Sequence, residues 1–320
     1  MKMRMLNVEE PTDLQHELAS WVVQSQVTRL RCNELLSILR KHGCQLPRDS
    51  RTLLRTPRSV HVDSKCGGQF AYFGLHNVLE QATLNESVHL VLNLQVNIDG
   101  VPLHKSSAAQ FWPIICSVNG GTPMMTALYF GHSKPKSMED FTEQFVTEVE
   151  SLQSEGFSID GKTWPVFLHS FVCDAPARAM MKNIKAHNSL HGCERCIAKG
   201  TFIEGRTTYS SNVCFIAEKR TDENFRSLQY MGSHQNGHSS LAKITDKCVS
   251  RFALDYMHLV CLGVLRRMLH FFKKGDRVVR LGSRQIVQIS EHLVSLRDFI
   301  PSEFARRPRS MVELDRWKAT

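Results

Sequence analysis

The sequence predicts an α/β protein built on a mixed sheet, and the order of its apolar segments carries the prediction. Three β-like runs, 88–98, 111–118 and 124–130, follow one another with the turn signals Asp99-Gly100 and Asn119-Gly120-Gly121 between them, as antiparallel neighbours require. A helical pattern between Ser137 and Gly156 comes next, then a fourth strand-like run over 164–173 and a helical stretch over 176–186. Two of the strands end on aspartates, Asp99 and Asp174, so placed that they could share a divalent metal.

Taken in chain order, residues 13–42 read as two helices, with Leu14, Leu18, Trp21 and Val22 on one face of the first and Leu35, Leu36 and Leu39 on one face of the second. Arginines in and beside the second helix admit a DNA-reading helix-turn-helix, against the commoner meaning of a packing helical pair. Leu46 to Arg58 carries two prolines and four arginines and reads as a connector, placing a domain boundary near residue 60. The first strand run includes His89 and closes at Asp99. Ser137 reads as the N-cap of a helix whose Phe141, Phe145, Val149 and Leu152 share a face before Gly156 stops it. Pro176 suits the first turn of the next helix, where its missing N–H costs nothing. The order of three strands, helix, strand, helix is that of the ribonuclease H-like fold, in which the first and fourth strands adjoin, so Asp99 and Asp174 are expected as neighbours. Residues 200–250 are polar and poorly patterned. The expected divisions are a small helical N-terminal region over 1–60, the ribonuclease H-like core over 61–190, and a mostly helical insertion over 191–320 that interrupts the core.

Composition narrows the class. With 320 residues and 42% hydrophobic content the chain can bury one large core or two smaller ones. It has neither an apolar run of membrane-spanning length nor the apolar core of a secretory signal, so an intracellular protein without membrane partners is expected. Ten irregularly spaced cysteines fit a reducing compartment better than a disulfide framework. The net charge of +9 is uneven: residues 261–320 hold thirteen Lys and Arg against six Asp and Glu, residues 1–60 hold ten against six, and the middle is near neutral. Positive ends suit a polyanion such as DNA, although any one cluster, Arg306-Arg307-Pro308-Arg309 included, can equally be a solvated face.

Four motifs in order, Asn97-Ile98-Asp99-Gly100-Val101-Pro102-Leu103, Cys173-Asp174-Ala175-Pro176-Ala177-Arg178-Ala179, Gly192-Cys193-x-x-Cys196 and Leu254-Asp255-Tyr256-Met257-His258-Leu259, resemble those of CACTA/En-Spm-type transposases of animal genomes. The resemblance runs from about Leu46 to the closing Arg316-Trp317-Lys318-Ala319-Thr320 and includes Phe304-Ala305-Arg306-Arg307-Pro308-Arg309-Ser310. It implies a nuclear DDE/D nuclease in which two strand-borne aspartates and a later acid hold two Mg²⁺ or Mn²⁺ ions for DNA strand cleavage and transfer. Asp99 matches the first acid and Asp174 the second. It also implies an insertion in which a C-x-x-C joins a downstream histidine pair around zinc, as in the related V(D)J recombinase catalytic subunit, and Cys193 and Cys196 match its first half. Homo-oligomers are among the partners this suggests.

Each residue has a plainer reading. A lone aspartate at a strand end is more often a turn former or helix cap than a metal ligand. Two thiolates do not close a tetrahedral Zn²⁺ site, for which His187 and His191 are local candidates. His258 could contact metal or DNA or be a satisfied core residue, and Asp255 could cap the apolar helix expected from Leu259 to Phe272. The family's third acid and histidine pair are expected beyond Thr320, while Glu303, Glu313 and Asp315 fall outside the pattern. The expectation is therefore a transposase-derived protein with an incomplete catalytic set. The alternatives are a domesticated, non-catalytic DNA- or protein-binding module and an active nuclease that uses Asp255 as its third acid.

Overall fold

The computed structural model describes residues 13–317 except 26, 58, 85–89, 105, 302, 303 and 305. Arg58, His89, Glu303, Ala305 and Lys318 to Thr320, all named above, lie outside the described residues. The chain divides into two compact units, Met1–His61 and Val62–Thr320.

In the first unit, α1 (Asp13–Gln24), α2 (Arg29–Lys41) and α3 (Ser50–Leu53) surround a small core of Val22, Cys32, Leu36, Leu46 and Leu53. Trp21 and Leu14, expected on the packing face, stay 47% and 43% exposed. The stretch read as connector holds a helical turn instead. Asp49 caps it by accepting the Arg51 N–H at 2.8 Å, and Leu46 and Leu53 drop into the core.

The second unit is a mixed α/β structure. Its elements are β1 (Asp63–Lys65), β2 (Gly68–Tyr72), α4 (His76–Leu84), β3 (Leu92–Ile98), β4 (Val101–Pro102), β5 (Gln110–Val118), β6 (Met124–Gly131), α5 (Met138–Glu155), β7 (Phe157–Ile159), β8 (Lys162–Trp164), β9 (Val166–Cys173) and α6 (Ala175–Met181). There follow β10 (Thr201–Ile203), β11 (Arg206–Thr208), α7 (Ser211–Ile216), α8 (Asp222–Arg226), β12 (Phe252–Leu254), α9 (Arg266–Lys274) and α10 (Ser283–Ser295).

The main sheet runs β1-β2-β6-β5-β3-β9-β12, with β4 paired to β5. β3, β5 and β6 form the expected antiparallel meander, and β9 returns parallel beside β3. The turn between β5 and β6 uses Asn119 and Gly120, both at positive φ (50° and 75°), the left-handed pair that a tight hairpin needs. α5 begins as its sequence indicates: the Ser137 hydroxyl accepts the Asp140 N–H at 3.1 Å. Phe141, Phe145 and Val149 lie buried against the sheet, and Gly156 at φ 78° ends the helix. α6 is shorter than the expected 176–186, because Lys182 closes it and Asn183 turns the chain at φ 53°.

β12, like β1, β2 and α4, has no sequence forerunner. Three residues long, it pairs parallel with β9, and Phe252 stacks on Phe171 at 4.7 Å. Leu241, Ile244 and Phe252 enter the same core as Leu94, Ile114 and Phe145, so part of 191–320 is continuous with the sheet. The segment after Asp255 is a π-helix, Met257–Leu265, that continues into α9, and no residue of either is buried. No helix among the described residues is long and apolar enough to cross a membrane.

Candidate active site at the strand ends

Register places three aspartates in one row. Asn97 pairs with Val172 and Leu254 with Cys173, so two residues beyond the first pair and one beyond the second, along these parallel strands, Asp99, Asp174 and Asp255 follow β3, β9 and β12 side by side. Adjacent strands lie about 4.8 Å apart. The C-terminal edge of parallel strands is also where open α/β sheets bind ligands.

Each carboxylate also serves its own backbone. Asp99 Oδ1 accepts the Gly100 N–H at 2.7 Å, and a Cβ on Gly100 would sit 2.7 Å from the Trp112 ring, so the turn after β3 needs glycine. Asp174 caps α6 by accepting the Ala177 N–H at 2.7 Å. Asp255 Oδ1 accepts from the N–H groups of Met257 and His258, at 2.8 and 3.2 Å, while its Oδ2 lies 2.6 Å from His258 Nδ1. The plain capping role is thus realised by Asp174 and Asp255. Asp99 and Asp174 each keep one oxygen without a hydrogen-bond partner among the described residues.

The acids act on one another. Burial pushes the Asp99 carboxyl above its ordinary value, and the charge of Asp174 pushes it further, with a smaller contribution from Asp255. His258 is raised by its hydrogen bond to Asp255 and by the charges of Asp174 and Asp99. Burial would raise Asp255, but His258 and the helix N–H groups outweigh it and hold it low. These four groups share one electrostatic environment, a pattern that marks candidate sites.

Behind the acids lies a buried ionic clamp. Arg178 on α6 donates to Cys173 O at 2.6 Å, the residue before Asp174, and to Ala253 O on β12 at 3.5 Å. Its Nε donates to Glu194 Oε1 and Lys182 Nζ donates to Glu194 Oε2, both at 2.9 Å. Burial alone would raise the Glu194 carboxyl, yet Lys182 and Arg178 hold it below its usual value. Arg195 donates to Val249 O and Phe252 O. Of the two residues inside Cys193-x-x-Cys196, Glu194 thus holds the arginine that bridges the ends of β9 and β12, and Arg195 binds the start of β12 and the turn before it.

Cys193 Sγ and Cys196 Sγ lie 3.4 Å apart. Among the described residues, no group of three or more His, Cys, Asp or Glu side chains is arranged to hold a metal ion: Asp255 and His258 do not complete a set with Asp99 and Asp174, nor His187 and His191 with the cysteines. His191 contributes its carbonyl instead, accepting from His234 Nδ1 at 2.7 Å. His234 is fully buried and its Nε2 has no partner among the described residues.

Burial, then the nearby Arg220, pushes His234 down to about 4 from 6.5. Its neutral form thus contributes stability that is full above pH 6.5 and is lost as pH falls towards 4, because the unfolded ring takes up a proton that the folded ring refuses. The expected loss across that window is at most about 3 kcal/mol. Thermal melts from pH 7 to 4.5 should show it, and His234→Gln should flatten that pH dependence; an unchanged slope would contradict the assignment.

The Arg178–Glu194–Lys182 clamp and His234 escape sequence reading, whereas Asp255 is weighed there as a third acid. The fold and site define a mixed α/β protein with a row of aspartates along one strand edge. The chain matches no protein-family model and no curated protein.

Proposed function

We propose that this protein is a metal-dependent DNA strand-cleaving protein of the DDE/D transposase type, built on a ribonuclease H-like core and working in the nucleus. The observation that carries the reading is the row Asp99, Asp174, Asp255 at adjacent parallel strand ends, with Asp99 perturbed by Asp174. Adjacency of the meander's first strand with the fourth supports the core assignment, since that fold requires it.

Asp99 and Asp174 are the residues that would hold Mg²⁺ or Mn²⁺. The donor set fits: Mg²⁺ is commonly held by one or two carboxylates, with water and substrate phosphate completing its shell, so a pair of acids with a free oxygen each suffices to begin a site. When bound, such an ion supplies Lewis-acid activation of a phosphodiester. The chain's own part is to set the spacing of the two carboxylates, through β3–β9 pairing and the Asn97 Nδ2 hydrogen bond to Val172 O at 2.6 Å. The clamp of Arg178 and Glu194 fixes the β9 end. Asp255 stands third in the row with both oxygens committed to Met257 and His258, so the pair Asp99 and Asp174 carries the metal-site reading. Metal-dependent cleavage lost on Asp99→Asn tests the reading.

DNA as partner is supported by the basic C-terminal segment. A cavity of about 450 Å³ there is lined by Arg306, Arg307, Arg309 and Arg316 beside Phe304 and Trp317, guanidinium groups for phosphates and rings for bases. Binding should weaken steeply with salt. Each of Arg306→Ala, Arg307→Ala and Arg309→Ala should lower the slope of log K against log salt by about 1. Salt-insensitive binding in a filter or anisotropy titration would contradict this.

Cys193 and Cys196 offer half of a tetrahedral Zn²⁺ site, so metal analysis of the purified chain should give less than one equivalent, falling in Cys193→Ser/Cys196→Ser. Unchanged zinc in that variant would make the two cysteines plain structural thiols.

A further inference from the structure

We propose that His258, held by Asp255, donates the proton to the leaving oxygen in strand cleavage, an inference that rests on the reading of the strand-end acids given above. The geometry separates Asp255 from its two neighbours in the row. Asp99 and Asp174 each retain a free oxygen, whereas Asp255 commits Oδ1 to the N–H groups of Met257 and His258 and Oδ2 to His258 Nδ1 at 2.6 Å. It is arranged as the holder of an imidazole.

That contact fixes the ring by Nδ1 and leaves Nε2 as its working nitrogen, without a hydrogen-bond partner among the described residues. The side chain is 42% exposed, open to an incoming substrate. The ionisable groups that bear on the ring are Asp255 at the end of β12, Asp174 at the end of β9 and Asp99 at the end of β3. The contact of Nδ1 with Asp255 favours the protonated ring, while Asp174 and Asp99 are the pair read as holding the metal ion. The π-helix that begins at Met257 is a rare conformation found mostly at functional sites, and it begins one residue before His258.

Water oxygen forms a bond to phosphorus as the P–O3′ bond breaks. The leaving O3′ takes the Nε2 proton, the imidazole becomes neutral while Nδ1–H stays on Asp255, and the attacking water releases a proton to solvent. The products are a 3′-hydroxyl and a 5′-phosphate. Asp255 is a positioning residue in this scheme, and His258 the catalytic acid, a role that contributes about 10²- to 10⁴-fold.

The test compares DNA duplexes with an ordinary linkage and with a single bridging 3′-S-phosphorothiolate at the cleavage position, in Mn²⁺. A thiolate leaves without protonation. His258→Gln and Asp255→Asn should lose about 10²-fold or more on the oxygen linkage, yet only a few-fold on the sulfur linkage. Asp99→Asn should lose both. Equal losses of His258→Gln on the two linkages would overturn the proton-donor role while leaving the metal-site reading intact. Cleavage of either linkage that survives Asp99→Asn, or no cleavage by the wild-type chain, would overturn both.

Discussion

Glu194→Ala is expected to destabilise the second unit by about 3 to 5 kcal/mol, since removing one partner strands buried charge. The Glu194 carboxylate is shared by Lys182, whose side chain is 1% exposed, and Arg178, at 7%. Without it two cations remain in the interior. Lys182 then faces the rings of Phe225 and Phe252, 5.6 and 5.4 Å away. Glu194→Gln should cost less, because it keeps the volume and one acceptor. Denaturant unfolding measures both. A loss under about 1 kcal/mol for the alanine variant would mean that solvent reaches the clamp.

Asp99→Asn and Asp174→Ala should move stability in opposite directions while both abolish cleavage. The folded-state pKa of Asp99 is raised, so its stabilising contribution is present below the unfolded value of 3.8 and is lost as pH rises through the folded value. At neutral pH the ionised carboxylate beside Asp174 is therefore a cost. Asn relieves it and should raise the melting temperature at pH 7, whereas Asp174→Ala removes the α6 N-cap and should cost about 1 kcal/mol. A residue that weakens the fold yet is needed for activity is what a metal-binding carboxylate looks like without its cation. Adding Mg²⁺ or Mn²⁺ should stabilise wild type and leave Asp99→Asn unmoved. A melting temperature that falls in Asp99→Asn would make the side chain a turn former alone.

What was legible in the sequence follows from the length and regularity of the elements. The meander β3, β5, β6 and helix α5 are long enough for periodicity to speak, and Ser137, Gly156 and Asn119-Gly120 mark ends whose backbone geometry few other residues tolerate. Asp99 and Asp174 could be found because each closes such a strand. β12 could not: Phe252-Ala253-Leu254 is too short to show a period, and its pairing with β9 joins residues about eighty positions apart. Asp255 consequently offered two readings, helix cap and third acid, that its place in the chain alone did not separate. The clamp was hidden because Arg, Lys and Glu default to the surface, and only the fold shows that Arg178, Lys182 and Glu194 are buried. The apolar helix expected over Leu259 to Phe272 forms as a π-helix followed by α9, with Leu259, Val264, Met268 and Phe271 exposed, so apolarity there did not report burial.

Cleavage of labelled duplex DNA by the purified protein, with and without Mg²⁺ or Mn²⁺, tests the central claim most directly when run beside Asp99→Asn, a variant expected to be folded and no less stable. Cleavage that requires the metal and disappears in Asp99→Asn is the result expected of a strand-end metal site. Metal-independent cleavage, equal cleavage by Asp99→Asn, or none by the wild-type chain that nonetheless binds DNA would contradict it.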